Sequence, residues 1–156
     1  MIIREATSAE APAIAQAHAE AHWETYAPLL GAATRRLDPG PLELAWRRAF
    51  LTGAIVRVAE HGESIVGLGQ IAGETLSDLY LRALWRRQGL GSRLLVELLA
   101  EARARGVEVV RFNVHSANAP AVGFYEAFGA REVGRQLMRH PDGDWEDFVF
   151  ELPTAL

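Results

Sequence analysis

The chain has 156 residues, 49% of them hydrophobic and 23% charged, with a formal net charge of -4 and no cysteine. That size suits one domain with a single sizeable core; the negative balance argues against a nucleic-acid partner, and the missing cysteines exclude disulfides and thiolate metal sites, so no metal is expected. No apolar run is long enough to span a membrane, and the opening MIIREATSAE lacks the basic and apolar regions of a signal peptide, so a cytoplasmic protein with no membrane partner is expected.

MIIREAT reads as a first strand. Thr7 or Ser8 can cap the helix that follows, and Glu10 sits early in it, where the helix dipole favours an anion. That helix, AEAPAIAQAHAEAHW, is Ala-rich and carries Ile14 and Ala17 or His18 on one side. ETYAPLLGAATRRLDPG contains Pro28, Gly31, Pro39 and Gly40 and reads as a loop with a helical turn. PLELAWRRAF is a second helix, with Pro41 at its start, where a missing N–H does no harm. AIVRVAE and IVGLGQIAG read as a hairpin with His61 and Gly62 in its turn, and ETLSDLYLRAL as a further strand.

GLGSRLLVELLAEARARG is the clearest helix in the chain. Leu90, Leu94, Leu95, Leu98, Leu99 and Ala102 share one face, Glu101 pairs with Arg105 one turn on, and Gly106 is a natural stop. In the strand VEVVRFNV, Val110, Phe112 and Val114 point one way and Val109, Arg111 and Asn113 the other. NAPAVGFYEAFG is a short helix capped by Asn118 and ended at Gly129; REVGRQLMRH and WEDFVFEL form a closing hairpin around PDGD. The result is an α/β (α+β) fold with a mixed sheet in one domain over 1–156, containing one right-handed strand–helix–strand unit.

The stretch LYLRALWRRQGLGSRLL sets a basic cluster and two glycines at the mouth of the clearest helix. A helix start offers unpaired N–H groups and the positive end of a dipole, and glycine lets a ligand approach the backbone. Arg86 adds a charge with a fork suited to phosphate oxygens. Two readings fit: a pyrophosphate seat, or a tight strand-to-helix turn with solubilising arginines. Leu94 stands where a dinucleotide fingerprint needs a third glycine, and no Gly-Lys-Ser/Thr exists for a Walker loop.

LYLRALWRRQGLG resembles the main signature of the GNAT superfamily of acetyl-CoA-dependent N-acetyltransferases, R/Q-x-x-G-x-G/A opening a helix. NAPAVGFYEAFGA is similar to the family's second signature through Asn118, Ala121, Phe124, Tyr125 and Gly129. The resemblance covers essentially the whole chain and implies a mostly antiparallel seven-stranded sheet flanked by about four helices. It implies acetyl-CoA as co-substrate, its pantetheine arm along the backbone of Leu79, Tyr80 and Leu81, and its pyrophosphate on Arg86, Arg87, Gln88, Gly89, Leu90, Gly91 and Ser92. Asn118 would contact the CoA arm, as well as capping its helix, and Tyr125 would bind near the thioester sulfur and protonate the leaving thiolate. Ala83, Arg87 and Ala130 stand where the family often has Pro, Gly and Phe. Asn113 occupies the strand position that resembles a Glu base in the family's ribosomal-protein acetyltransferases, and Asn takes up no proton at neutral pH.

Direct attack needs a deprotonated amine. For a lysine-like amine with pKa about 10.4 that costs roughly 4–5 kcal/mol at pH 7, and for an α-amine near 8 about 1. Candidate bases are Glu74, Asp78 and His115. The acceptor, a small-molecule or protein amine, is expected between the first helices and the last hairpin, on Trp23 and Tyr26, with His22, Glu24, Asp142, Asp144 and Trp145 nearby. Aromatic rings beside carboxylates suit a cationic amine; a packing role for Trp23 and turn roles for the two Asp residues are the alternatives. A non-catalytic acyl-CoA-binding module on the same fold, or nucleotide binding without CoA, are the other functional readings. An exposed edge strand in the last hairpin could pair in a homodimer.

Overall fold

The structure is a computed structural model that describes residues 1–139 and 143–156. One seven-stranded sheet runs through it in the order β1-β2-β3-β4-β5-β7-β6. The strands are β1 (Ile2–Glu5), β2 (Ile55–His61), β3 (Ser64–Ala72), β4 (Thr75–Leu81), β5 (Val109–His115), β6 (Arg131–Met138) and β7 (Trp145–Pro153). Only β4 and β5 are parallel neighbours; every other pair is antiparallel. Helices α1 (Ala11–Leu30) and α2 (Pro39–Leu51) cover one face through Ile14, Trp46, Val58 and Leu68. Helices α3 (Leu90–Ala104) and α4 (Ala119–Ala127) cover the other through Leu95, Leu98, Val110, Phe112 and Tyr125. The expected mixed, mostly antiparallel sheet with four helices is therefore present. Among the described residues no helix is long and apolar enough to cross a membrane.

Local chemistry explains the boundaries. Thr7 and Glu10 form a capping box around a short 3-10 turn that leads into α1. Asn118 caps α4 by accepting from the Ala121 N–H at 3.2 Å. The six apolar positions of α3 are all buried, and β5 alternates as its sequence requires, with Val110, Phe112 and Val114 buried and Arg111 and Asn113 exposed.

Several boundaries differ from the sequence reading; α2, for one, starts at Pro39 rather than Pro41. Helix α1 does not stop at Trp23; it continues to Leu30 with Pro28 inside it. A proline in the last turn removes one helical hydrogen bond, and tertiary bonds from Glu24 and Thr25 to the segment after β4 hold that turn. The β2–β3 turn is Gly62-Glu63, because His61 still pairs with Ser64. Strand β4 ends at Leu81, and Ala83–Trp85 form a 3-10 turn. The PDGD turn lies partly outside the described residues.

The sheet has a seam. β4 and β5 share a single register pair, Thr75 with Arg111, and beyond it they diverge. The Arg82 N–H donates to Val66 O at 2.9 Å, so the alternation of an antiparallel ladder turns Tyr80 and Asp78 toward β3 and leaves Leu79 and Leu81 facing the gap. β3 approaches α3 closely: a Cβ on Gly69 would meet Leu98 Cδ1 at 2.7 Å, and one on Gly67 would meet Leu94 Cδ1 at 3.2 Å.

Candidate active site

A cavity of about 630 Å³ passes through this gap. Its walls come from α1 (Glu24, Thr25, Tyr26), β4 (Asp78 to Leu81), β5 (Asn113, Val114), the mouth of α3 (Gly89, Gly91, Ser92) and α4 (Asn118, Phe124, Tyr125). Both sheet faces therefore contribute to one chamber.

At the α3 end the helix begins with Leu90, Gly91 and Ser92, whose N–H groups have no carbonyl a turn behind them in the helix. Gly89 has φ 77°, and Arg87 takes the left-handed region too, at φ 60°. The cavity touches Arg87, Gly89, Gly91 and Ser92. It does not touch Gln88 or Leu90: Gln88 Nε2 donates to Leu84 O at 3.2 Å, and the Leu90 side chain is buried in the core.

Arg86 lines the cavity, but its fork is occupied. Nε donates to Leu81 O at 3.1 Å, and an Nη donates to Thr25 Oγ1 at 2.9 Å. The Arg86 guanidinium thus joins α1 to the end of β4 through Nε and one Nη. The backbone reading is corrected at Tyr80, whose main-chain groups are spent on Leu68 of β3. The Tyr80 side chain lines the cavity instead.

Tyr125 is buried on the cavity wall, and burial raises its hydroxyl well above the ordinary tyrosine range. Burial does the same for Tyr80, and for Tyr26, where a hydrogen bond with Asn118 opposes the rise. All three hydroxyls are therefore protonated near neutral pH and available as donors. Tyr26, Tyr80 and Asn118 all line the same cavity. His22 packs against the rings of Tyr26 and Tyr80 at 4.8 and 6.1 Å. Its Nδ1 is buried without a partner, and burial, then the nearby His18, lowers its pKa to about 4.

Of the two expected acceptor residues, the structure brings Tyr26 into the cavity and leaves Trp23 out. Arg36 covers the Trp23 ring at 4.2 Å, which accounts for an aromatic residue at that position. Trp145 stacks on His115 with ring centroids 5.6 Å apart and donates to Asp147 at 3.0 Å. The reading placed on Asp142 lies outside the described residues. Sequence reasoning missed Asp147, which is 8% exposed and also accepts from Asn113 at 3.4 Å. Its alternation with Phe148 in β7 was the available signal.

A family model described as an acetyltransferase (GNAT) domain matches residues 42–140, more than half of the chain. This chain belongs to the GNAT acetyltransferase family. The ribosomal protein bS18-alanine N-acetyltransferase of Escherichia coli is 32% identical over 84 residues, covering 53% of this chain and 57% of that protein. The chain thus spans little more than half the length of that GNAT relative. The L-methionine sulfoximine/L-methionine sulfone acetyltransferase of Pseudomonas paraeruginosa is 27% identical over 169 residues, covering 95% and 91%. A Salmonella typhimurium acetyltransferase solved with its cofactor acetyl-CoA shares the fold at TM-score 0.76 and 24% identity, covering 100% of this chain and 95% of that one. The GNAT chamber described above suits that cofactor. It has unspent main-chain groups at Leu79 and the Leu81 N–H for an amide-bearing arm, and a helix mouth for phosphate.

Proposed function

We propose that this chain transfers the acetyl group of acetyl-CoA to a primary amine of a small molecule or a protein, by direct attack and with Tyr125 as general acid. The observation that carries this is Tyr125 itself: a buried, protonated hydroxyl on the wall of a chamber open to both sheet faces. Bound acetyl-CoA supplies the thioester. Main-chain groups of Leu79 and Leu81 hold its amide-bearing arm, and the N–H groups from Gly89 to Ser92, with the Arg87 charge, hold its pyrophosphate. Asn118 lies on the cavity wall as it caps α4, and Tyr26 and Tyr80 form the aromatic wall on the acceptor side. Tyr125 then gives its proton to the departing sulfur.

Two relatives are named for amines attached to an amino-acid α-carbon, the alanine of a ribosomal protein and methionine sulfoximine. An α-amine with pKa near 8 loses its proton for only about 1 kcal/mol at pH 7, which makes it the acceptor class to try first. We place the enzyme in the cytoplasm, working as one domain over 1–156, with β6 as the edge for any homodimer.

Incubation with acetyl-CoA and an amine panel, reading free thiol, tests the reaction. Turnover is expected, and Tyr125→Phe should lower kcat by about 10²-fold with little change in the KM for acetyl-CoA. CoA binding without turnover on any amine would replace this reading with an acyl-CoA-binding module.

A further inference from the structure

Behind the tyrosines, side chains from three elements form a chain that ends at the cavity wall. Trp46 of α2, 1% exposed, donates its indole N–H to His18 Nδ1 at 3.2 Å. His18 of α1, 7% exposed, sets Nε2 at 3.6 Å from Asp78 Oδ1. Gln70 of β3 donates Nε2–H to the other oxygen, Asp78 Oδ2, at 2.7 Å. Asp78 itself lines the cavity.

The chain has a direction. An indole N–H can only donate, so His18 Nδ1 accepts from it. Burial keeps His18 neutral, against the pull of Asp78. A neutral imidazole carries one proton, so that proton sits on Nε2, facing Asp78. Trp46 thereby fixes the tautomer and turns the Nε2 proton toward the carboxylate.

Among the described residues no arginine pairs with Asp78. The titratable groups that face it or His18 are His22 and Tyr26 of α1, Tyr80 of its own strand and Tyr125 of α4. Asp147 of β7 and His115 of β5 are met beyond Tyr26. Among the described residues the ion-pair partner of Asp78 is a neutral histidine. A carboxylate on a cavity wall, bonded by Gln70, faced by a neutral imidazole at 3.6 Å and lacking a cation among the described residues, has the chemistry to receive an ammonium. The other two candidate bases lie elsewhere: Glu74 is exposed at the closed end of the seam, and His115 Nδ1 is engaged with the Ala117 N–H at 3.0 Å.

We propose that Asp78 receives the acceptor's ammonium and takes up its first proton, and that His18, held by Trp46, is the positioning residue that aims the carboxylate. This rests on the acetyl transfer proposed above. An ammonium loses two protons in becoming an amide. The first passes to Asp78, breaking an N–H bond and forming an O–H bond, and leaves from there to water. The second replaces the proton that Tyr125 gives to sulfur as the N–C bond forms and the C–S bond breaks. No electrons change hands with a third reagent.

The test compares wild type, Asp78→Asn, His18→Leu and His18→Gln across pH 5–9 with the best amine of the panel, with CoA binding measured in parallel. Asp78→Asn should lower kcat/KM by about 10²-fold or more and leave CoA affinity unchanged. His18→Leu should move the acid limb of kcat/KM upward by about one pH unit, and His18→Gln, which returns a donor near the Nε2 position, should move it back. Wild-type turnover with Asp78→Asn within about threefold of it, or a limb that is the same in both His18 variants, would overturn the assignment alone. No wild-type turnover on any amine would overturn the acetyl transfer and the assignment with it. Should His18→Leu fail to fold, the near-isosteric Asp78→Asn decides the matter.

Discussion

Arg86 and Arg87 are adjacent in a phosphate-binding signature and have opposite occupations. Arg86 is half-buried and bonds Leu81 O and Thr25, whereas Arg87 is exposed with φ 60° and lines the cavity. Arg86→Ala should therefore destabilise the fold by about 2 kcal/mol, since bonds from a charged donor are lost and a main-chain acceptor is stranded. Arg87→Gly removes the left-handed strain and should leave stability unchanged or raise it by about 1 kcal/mol, while raising the KM for acetyl-CoA. Urea unfolding and initial rates on the two variants check both. The signature was legible from its spacing, but the direction of the Arg86 fork was not. It depends on Thr25 being there to meet it, and that requires α1 to run past Trp23.

Among the elements, α3 and β5 were readable because a strong period admits one answer. The end of α1 was not, because Pro28 and Gly31 carry a local stop signal that contacts distant in sequence override. Glu24 accepts from Arg82 at 2.9 and 3.0 Å and from the Ala83 N–H at 2.5 Å, across more than fifty residues of chain. Tyr26 reaches the cavity on that extended helix, not on a loop. Trp23, one turn earlier, shows that an aromatic cluster in sequence need not stay a cluster in space. The glycines of β3 are a second element-scale feature. Gly69→Ala should cost about 1–3 kcal/mol by overpacking, because Leu98 is fully buried and the Asp78 carbonyl also lies 3.3 Å from the added carbon. A denaturation midpoint equal to wild type would show that α3 can shift away.

For the whole molecule, acid acts through two windows with the same sign. Unfolded His22 takes up a proton below its ordinary 6.5, whereas in the fold burial and the nearby His18 keep it neutral down to about 4. Between those values the unfolded state binds more protons, so stability falls as pH drops from 6.5 to 4. Glu10 is held at about 2, below its ordinary 4.5, mainly by its hydrogen bond from Arg4, which also bonds Glu60 and so joins β1, β2 and the start of α1. Its contribution is complete above 4.5 and is lost as pH falls toward 2. Urea unfolding at stepped pH should show loss beginning near 6.5, with His22→Phe flattening the upper window and Glu10→Gln the lower.

The seam between β4 and β5 was not visible in the sequence, where both strands look like ordinary central strands. A strand at the middle of a sheet ordinarily has both sides spent; β4 has one side spent and one corner of the other. Free strand sides invite foreign chains. This one opens into a chamber of about 630 Å³, pinched shut at Thr75 and lined along α1 by Tyr26. A foreign strand would have to enter that chamber to pair, because helices from both sheet faces wall it. The adhesive edge is thus turned inward, and the protein keeps an interior docking strip without offering it to its neighbours.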